Sequence, residues 1–328
     1  MRVLVTGGAG YIGSVMVRML HSHEHDVLVF DNLSKGHRSA VGEAPLEIGE
    51  LTNLEDITRV CESFLPEACM HFAAHSLVDE SVRDPLKYMR DNPVGSLNLA
   101  RALCECGCRY LVFSSTCAVY GVPEKVPITE DEKTEPINPY GASKLLIEQA
   151  LSELAKRGVL SFVSLRYFNA AGADVENDLG EDHQPETHLI PRVIKAALGI
   201  EQSAVIYGND YPTSDGTCVR DYIHVVDLCK AHLLALDYLK GGGDSLILNL
   251  GNGNGFTVKE VVDSVKRVSK KDFQVRVESR REGDPPILVA SSEKIRSKLK
   301  WAPSYTDIDQ IVETAWIWHS RHPEGYGD

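Results

Sequence analysis

Thr6-Gly7-Gly8-Ala9-Gly10-Tyr11-Ile12-Gly13 follows the apolar run Val3-Leu4-Val5 and opens a stretch of helical patterning. Gly7, Gly10 and Gly13 carry the spacing G-x-x-G-x-x-G. Backbone without side chains can turn tightly there and lie close to a pyrophosphate. The helix amino terminus that follows offers unpaired N–H groups and the positive end of a dipole. Taken alone, such a loop is also what an ordinary tight turn needs. Its setting decides the reading: a strand before it, a helix after it, and an acid closing the second apolar run at Phe30-Asp31-Asn32. An acid at that point suits the adenosine ribose hydroxyls of a dinucleotide. The charge of Asp31 repels a 2′-phosphate, so NAD is expected over NADP, although Lys35 and Arg38 follow closely.

Outward from this loop, apolar runs at 3–6, 27–30, 46–48, 69–73, 111–115 and 160–166 alternate with helical stretches. Continuous apolar strands separated by helices predict a parallel sheet covered on both faces. That is an α/β fold, a doubly wound Rossmann sheet, here with a second, smaller lobe. The second half holds Pro185, Pro191 and Pro212, the run Gly241-Gly242-Gly243, and a polar stretch at 209–216. Long loops of this kind often carry binding residues. The expected division is a dinucleotide-binding domain over 1–166 and a substrate-binding lobe over 167–328. The stretch 221–239 reads as helical and is a candidate to pack back on the first domain.

The chain has 328 residues, 43% hydrophobic and 25% charged, as in ordinary soluble globular proteins. A net charge of −13 repels nucleic acid and anionic membranes, so neither is expected as a partner. It repels anionic nucleotides as well, so a site for them must concentrate positive charge locally. No apolar run reaches membrane-spanning length. The amino terminus turns glycine-rich too soon for a secretory signal, and a cytoplasmic location is expected. Of eight cysteines, Cys104, Cys106 and Cys108 alternate and lack the two-residue gap of metal knuckles. They read as reduced structural thiols. His21, His23 and His25 sit in a polar turn and read as surface residues, so no metal is expected.

Asn138-Pro139-Tyr140-Gly141-Ala142-Ser143-Lys144 opens a helix. Asn138 is a good N-cap, Pro139 suits the first helical position, and Gly158 can end the helix. Tyr140 and Lys144 are four apart and share one face, which Ile147 and Leu151 continue inward. A free phenol, with a pKa of about 10, is a poor base at neutral pH. A neighbouring ammonium favours the phenolate, and the cationic ring of NAD would do the same. The tyrosine could then take a proton from an alcohol as hydride leaves the same carbon. Upstream, Leu111-Val112-Phe113-Ser114-Ser115-Thr116 is a strand running into hydroxyl residues able to bond the reacting oxygen.

These motifs together resemble the extended short-chain dehydrogenase/reductase family, most closely its nucleotide-sugar 4-epimerases, from Thr6 to the tail at 318–326. The resemblance implies NAD-dependent epimerisation at carbon 4 of a UDP-hexose through a 4-keto intermediate, within galactose metabolism. Tyr140 would be the base, Lys144 its partner and Thr116 the hydroxyl. NAD would be lined by Gly7, Gly10, Tyr11, Ile12, Gly13, Asp31, Asn32, Glu50, Leu51, Phe72, Ala73, Ala74, Asn92, Ser114, Tyr140, Lys144 and Phe168. Asn169 would touch the nucleotide sugar, and His188, Leu189, Val205 and Tyr207 would form the uridine pocket. Arg220 and Arg281 would grip the diphosphate, as forked donors suit it, and Asp284 would contact the uridine ribose. A homodimer through two helices of each first lobe is also implied.

Three positions depart from the family pattern. Glu50 replaces a usual aspartate, Ser76 stands where some relatives have lysine, and Leu288 aligns with the residue gating the sugar pocket. Some relatives have tyrosine there; leucine leaves more room, which extends the expected substrates to UDP-N-acetylglucosamine. An epimerase for a UDP-pentose or UDP-uronate remains an alternative reading, as does a decarboxylase. A dehydratase of this family would carry Thr-Asp-Glu at the strand end, where this chain has Thr116-Cys117-Ala118.

Overall fold

The computed structural model describes residues 1–281 and 284–328; Glu282 and Gly283 lie outside the described residues. In chain order the first strands are β1 (Arg2–Thr6), β2 (Asp26–Asp31), β3 (Leu46–Ile48), β4 (Ala68–His71), β5 (Tyr110–Thr116) and β6 (Ser161–Tyr167). Then come β7 (Asn169–Ala171), β8 (Ala204–Tyr207), β9 (Val219–His224), β10 (Leu246–Leu250), β11 (Gly255–Thr257), β12 (Val275–Glu278) and β13 (Ile287–Leu288). Seven of these form one sheet in the order β10-β6-β5-β4-β1-β2-β3, with every pairing parallel.

Alternation along the strands explains why helices cover both faces. Val3, Val5, Val27, Val29 and Met70 point into one core with Val15, Met16, Leu228 and Leu236. Leu4, Leu28, Phe30, Cys69 and Phe113 point into the other with Ile57, Leu99, Ile147 and Leu151. Because each strand is apolar on both sides, it stays continuous and buried, as a doubly covered parallel sheet requires.

Two findings differ from the sequence reading. The sheet has a seventh strand, β10, which arrives after the chain has visited the smaller lobe. The stretch 221–239 is not helical throughout: Asp221–His224 complete β9, and the helix is Val225–Lys240. β9 pairs with β7, β11 and β13, which holds those four residues extended. The Val225–Lys240 helix lies on the large sheet through Leu228, Ala231, Ala235 and Leu236. The smaller lobe gathers β7, β8, β9, β11, β12 and β13 with helices Leu189–Ala197, Val258–Ser269 and Ile308–Arg321 around Ile190, Ile194, Val261, Val265 and Ile311. No described helix is long and apolar enough to cross a membrane.

Candidate active site

A parallel sheet presents its ligand sites at the carboxyl ends of the strands. β1 ends in the glycine loop. Gly7 has φ +74°, and a Cβ there would meet the Ala73 amide at 2.5 Å. A Cβ on Gly13 would strike the Gly7 carbonyl at 2.0 Å. Both glycines are therefore demanded by packing alone. Gly10 is different: its Cβ would meet only the Gly7 carbonyl, at 3.4 Å, an ordinary contact. Nothing in the protein requires Gly10, and it caps the helix Tyr11–Ser22 with no side-chain cap bond. The space and the free amide end fit a pyrophosphate.

Asp31 closes β2 and is buried. Its carboxylate accepts from the Ala9 amide at 3.0 Å and the Leu33 amide at 2.8 Å. Burial raises its pKa and these amides oppose the rise. Asn32 donates to both Glu50 oxygens at 3.1 Å. Phe72 and Ala73 hang from the Thr6 carbonyl at 2.9 and 3.1 Å, directly over the loop. Asn92 accepts from the His75 amide at 2.8 Å and donates to the His75 carbonyl at 3.0 Å, so it braces the segment after β4. Ala74 is exposed and Leu51 half-buried. Gly7, Gly10, Gly13, Asp31, Phe72 and Ala73 thus lie at or just beyond the carboxyl ends of β1, β2 and β4, and their chemistry fits a dinucleotide.

The helix Pro139–Lys156 places the reactive pair. Asn138 accepts from the Gly141 amide at 2.8 Å, the N-cap bond expected of it. Tyr140 and Lys144 are both buried. Lys144 Nζ donates to the Ser114 carbonyl at 2.9 Å and lies 4.8 Å from the Phe113 ring centroid. The Ser114 hydroxyl is 3.1 Å from His232 Nε2. β5 therefore ends under the pair, with Thr116 as its last residue, whose hydroxyl accepts from the Ala118 amide at 3.1 Å.

The expected acidification of the phenol rests on Lys144 together with the cationic ring of NAD, and the protein alone does not supply it. In the structure burial pushes the Tyr140 pKa up, the nearby Tyr167 adds to this, and the Thr116 hydroxyl opposes it without prevailing. Burial also pulls Lys144 down to about 7, against the pull of Glu148. Two groups in one dry cleft each lose hydration, and a lysine near its neutral form has little charge to lend.

The remaining expected residues converge on the smaller lobe. Phe168 and Leu288 pack with Val119, Tyr120 and Ala290. Asn169 donates to the Asp221 carbonyl at 2.9 Å. Val205 and Tyr207 lie on β8, and Leu189 packs against the core that holds Ile190 and Ile206. The Arg281 guanidinium sits 4.2 Å from the Tyr207 ring centroid. Arg220 and Asp284, expected to act separately on the nucleotide, are ion-paired with each other. His188 instead faces Glu181 and Glu186.

Sequence reasoning missed a buried network below the pair. Glu148 accepts from Arg166 at 2.6 Å and from the Ser164 hydroxyl at 2.8 Å, and Arg166 donates to the Tyr120 hydroxyl at 2.9 Å. Its signal was the four-residue step from Tyr140 to Lys144, repeated at Glu148. Cys104, Cys106 and Cys108 are free, as are the other five cysteines, and burial pushes the Cys108 thiol up to about 12.

A family model described as the NAD dependent epimerase/dehydratase family matches residues 3–251. A Lacticaseibacillus casei protein named UDP-glucose 4-epimerase is 47% identical over 329 residues, spanning 100% of this chain and 99% of that protein. A crystal structure of a UDP-glucose 4-epimerase covers 100% of both chains at 46% identity, with a TM-score of 0.98. Another, of UDP-glucose 4-epimerase from Brucella ovis in complex with NAD, is 45% identical over 96% of this chain and 97% of its own, with a TM-score of 0.94. The chain belongs to the NAD dependent epimerase/dehydratase family, on its UDP-glucose 4-epimerase branch.

Proposed function

We propose that this chain interconverts UDP-glucose and UDP-galactose at carbon 4, with one NAD retained throughout, in the cytoplasm and in the service of galactose metabolism. The observation that carries this reading is the buried Tyr140–Lys144 pair, with Lys144 held to the Ser114 carbonyl near the end of β5, at the carboxyl ends of strands whose loops suit a dinucleotide. The loop Gly7–Gly13, with Tyr11, Ile12, Asp31, Asn32, Glu50, Leu51, Phe72, Ala73, Ala74, Asn92, Ser114 and Phe168, would hold NAD. Bound NAD supplies the hydride acceptor and, later, the hydride donor, and its positive ring favours the Tyr140 phenolate. Tyr140 takes the proton of the sugar 4-hydroxyl and returns it after the 4-keto sugar has presented its other face. Thr116 hydrogen-bonds the same oxygen. Lys144 fixes the Tyr140 side of the cleft and binds the nicotinamide ribose. Arg220, Arg281 and Asp284, with His188, Leu189, Val205, Tyr207 and Asn169, keep the nucleotide clamped while the sugar turns. Closure between the lobes excludes water and retains the ketone.

Leu288, among the apolar side chains beside Phe168, leaves space that a tyrosine would fill, so UDP-N-acetylglucosamine is a second substrate. The test is a product assay without added cofactor. UDP-galactose should yield UDP-glucose, UDP-N-acetylglucosamine should yield its C4 epimer, and Tyr140→Phe should lose about 10²–10⁴-fold in turnover. A Tyr140→Phe protein with unchanged turnover sinks the mechanism; silence toward the N-acetyl sugar alone removes only the wider range.

The chain works as a homodimer in this reading. Leu86 is 80% exposed, and Met89 and Leu97 lie on the same face of the helix Pro85–Glu105, with exposed Leu146 on the adjoining helix. Light scattering should give twice the chain mass, and Leu86→Lys with Leu97→Lys should halve it.

A further inference from the structure

Glu181, His183, Glu186 and His188 take no part in proton or hydride transfer, yet they form a compact cluster. Glu181 Oε1 lies 2.8 Å from His188 Nδ1 and 3.2 Å from His183 Nδ1. Glu186 Oε1 lies 3.0 Å from His188 Nδ1, and its Oε2 lies 3.8 Å from His183 Nδ1. One atom from each of the four residues falls within 4.8 Å of the others, the only such group of possible metal ligands among the described residues.

An imidazolium at His188 explains part of this arrangement. Burial opposes its charge, but Glu181 and Glu186 override that and raise its pKa. It leaves two atoms unexplained. Glu186 Oε2 is shut away from solvent with no hydrogen-bond partner, and His183 Nδ1, equally buried, has only the Glu181 carboxylate at 3.2 Å, in no aligned hydrogen bond. The Glu186 side chain is only 3% exposed, and its orphaned oxygen points into the cluster. Unpaired buried polar atoms of this kind keep the full cost of their lost hydration, and native structures seldom tolerate them without a reason.

We propose that these four side chains hold one divalent zinc ion in a closed, tetrahedral N2O2 site. Zinc binds imidazole nitrogen and carboxylate oxygen at about 2.0–2.1 Å, which puts neighbouring ligand atoms ~3.3 Å apart. Glu181 Oε1 lies 2.8 and 3.2 Å from the two imidazole nitrogens, close to that value, and Glu186 reaches them through different oxygens, His188 at 3.0 Å through Oε1 and His183 at 3.8 Å through Oε2. The ion gives both orphaned atoms a partner, and its two charges cancel two carboxylates in a protein already at −13. With four protein ligands the site is structural, having no open position for a water nucleophile.

Its place in the fold gives the ion its task. The His183 ring stands edge-on to Tyr11, the first residue of the glycine-loop helix, at 6.4 Å between centroids. Tyr11 in turn donates to the Gly172 carbonyl at 2.7 Å. His188 is the N-cap of the helix Leu189–Ala197 and makes no side-chain cap bond there. The ion therefore ties the dinucleotide loop to the first helix of the smaller lobe. His188 also belongs to the proposed uridine pocket, so within the cluster the test varies only His183 and Glu186, which the epimerase reading does not use, and it reads zinc binding and not turnover.

The test uses the full-length protein after treatment with a chelator, titrated with ZnCl2 and, separately, CoCl2. One equivalent of zinc should bind saturably and raise the melting temperature. Cobalt should give the intense visible absorption of a tetrahedral site. His183→Gln and Glu186→Gln should each weaken zinc binding by more than the roughly 10–100-fold that losing an outer-shell partner costs, whereas His23→Gln, an exposed histidine elsewhere, should not. Far-UV circular dichroism checks that the variants are folded. Absence of saturable zinc binding by the unaltered protein overturns the proposal without any variant. So does equal affinity in folded His183→Gln and Glu186→Gln, or a six-coordinate cobalt spectrum.

Discussion

Tyr140 and Lys144 share one helix face, and that much follows from a spacing of four. What the spacing does not carry is the depth of the cleft. Burial lowers the Lys144 pKa from the ordinary lysine value to about 7, so the folded chain without cofactor disfavours its charge. A depressed lysine releases its proton in the native state before the unfolded chain does. Between about pH 7 and the ordinary lysine range the unfolded state binds more protons, and stability rises with pH, by at most about 1.4 kcal/mol per unit. Lys144→Met removes this slope. Melting of the cofactor-free proteins from pH 7 to 10 should show the unaltered chain gaining on Lys144→Met as pH rises. A constant difference would mean that Lys144 titrates normally. Glu148 was illegible for a related reason: a carboxylate on an inward face looks like an error until Arg166, 18 residues on, is seen to meet it.

At the level of elements, the glycine loop was the most legible part of the chain, because strand, turn and helix signals agree within a few residues. The structure divides its glycines into those the fold needs and one it does not. Gly13→Ala drives a methyl to 2.0 Å from the Gly7 carbonyl, which is backbone and cannot swing aside. The helix Tyr11–Ser22 must lift from β1, where Val15 and Met16 are fully packed, at a cost of about 1–3 kcal/mol or more. Gly10→Ala meets only an ordinary 3.4 Å contact at a negative φ of −80°. It should melt within a few tenths of a kcal/mol of the unaltered protein and yet retain far less NAD. Thermal melting and the NAD released on denaturation, measured on both variants, separate the two roles. If Gly10→Ala keeps its full NAD content, the pyrophosphate does not lie over Gly10. The seventh strand escaped the sequence reading because Leu246–Leu250 is a short apolar run far from its partner β6, and only the fold reveals which sheet it joins.

Across the whole molecule, the order of the chain and the order of the layers part company. Residues 1–166 end within β6, yet the sheet closes only when the chain returns from the smaller lobe. The helix Val225–Lys240 then covers one face and β10 pairs along β6. Leu228, Leu236, Leu248 and Leu250 from that returning segment are each 0% exposed. At roughly 2 kcal/mol apiece their burial contributes about 8 kcal/mol, comparable with the 5–15 kcal/mol that holds a whole domain together. A fragment of residues 1–166 loses all of it. It also bares the unpaired edge of β6, whose Phe162, Val163 and Leu165 are buried in the intact chain, and such an edge invites association. The fragment should therefore aggregate or remain loosely packed, with weak near-UV circular dichroism and no cooperative melt, despite carrying the entire glycine loop. A monodisperse 1–166 fragment that melts cooperatively and binds NAD would show that the first domain is self-sufficient and that the returning segment only decorates it.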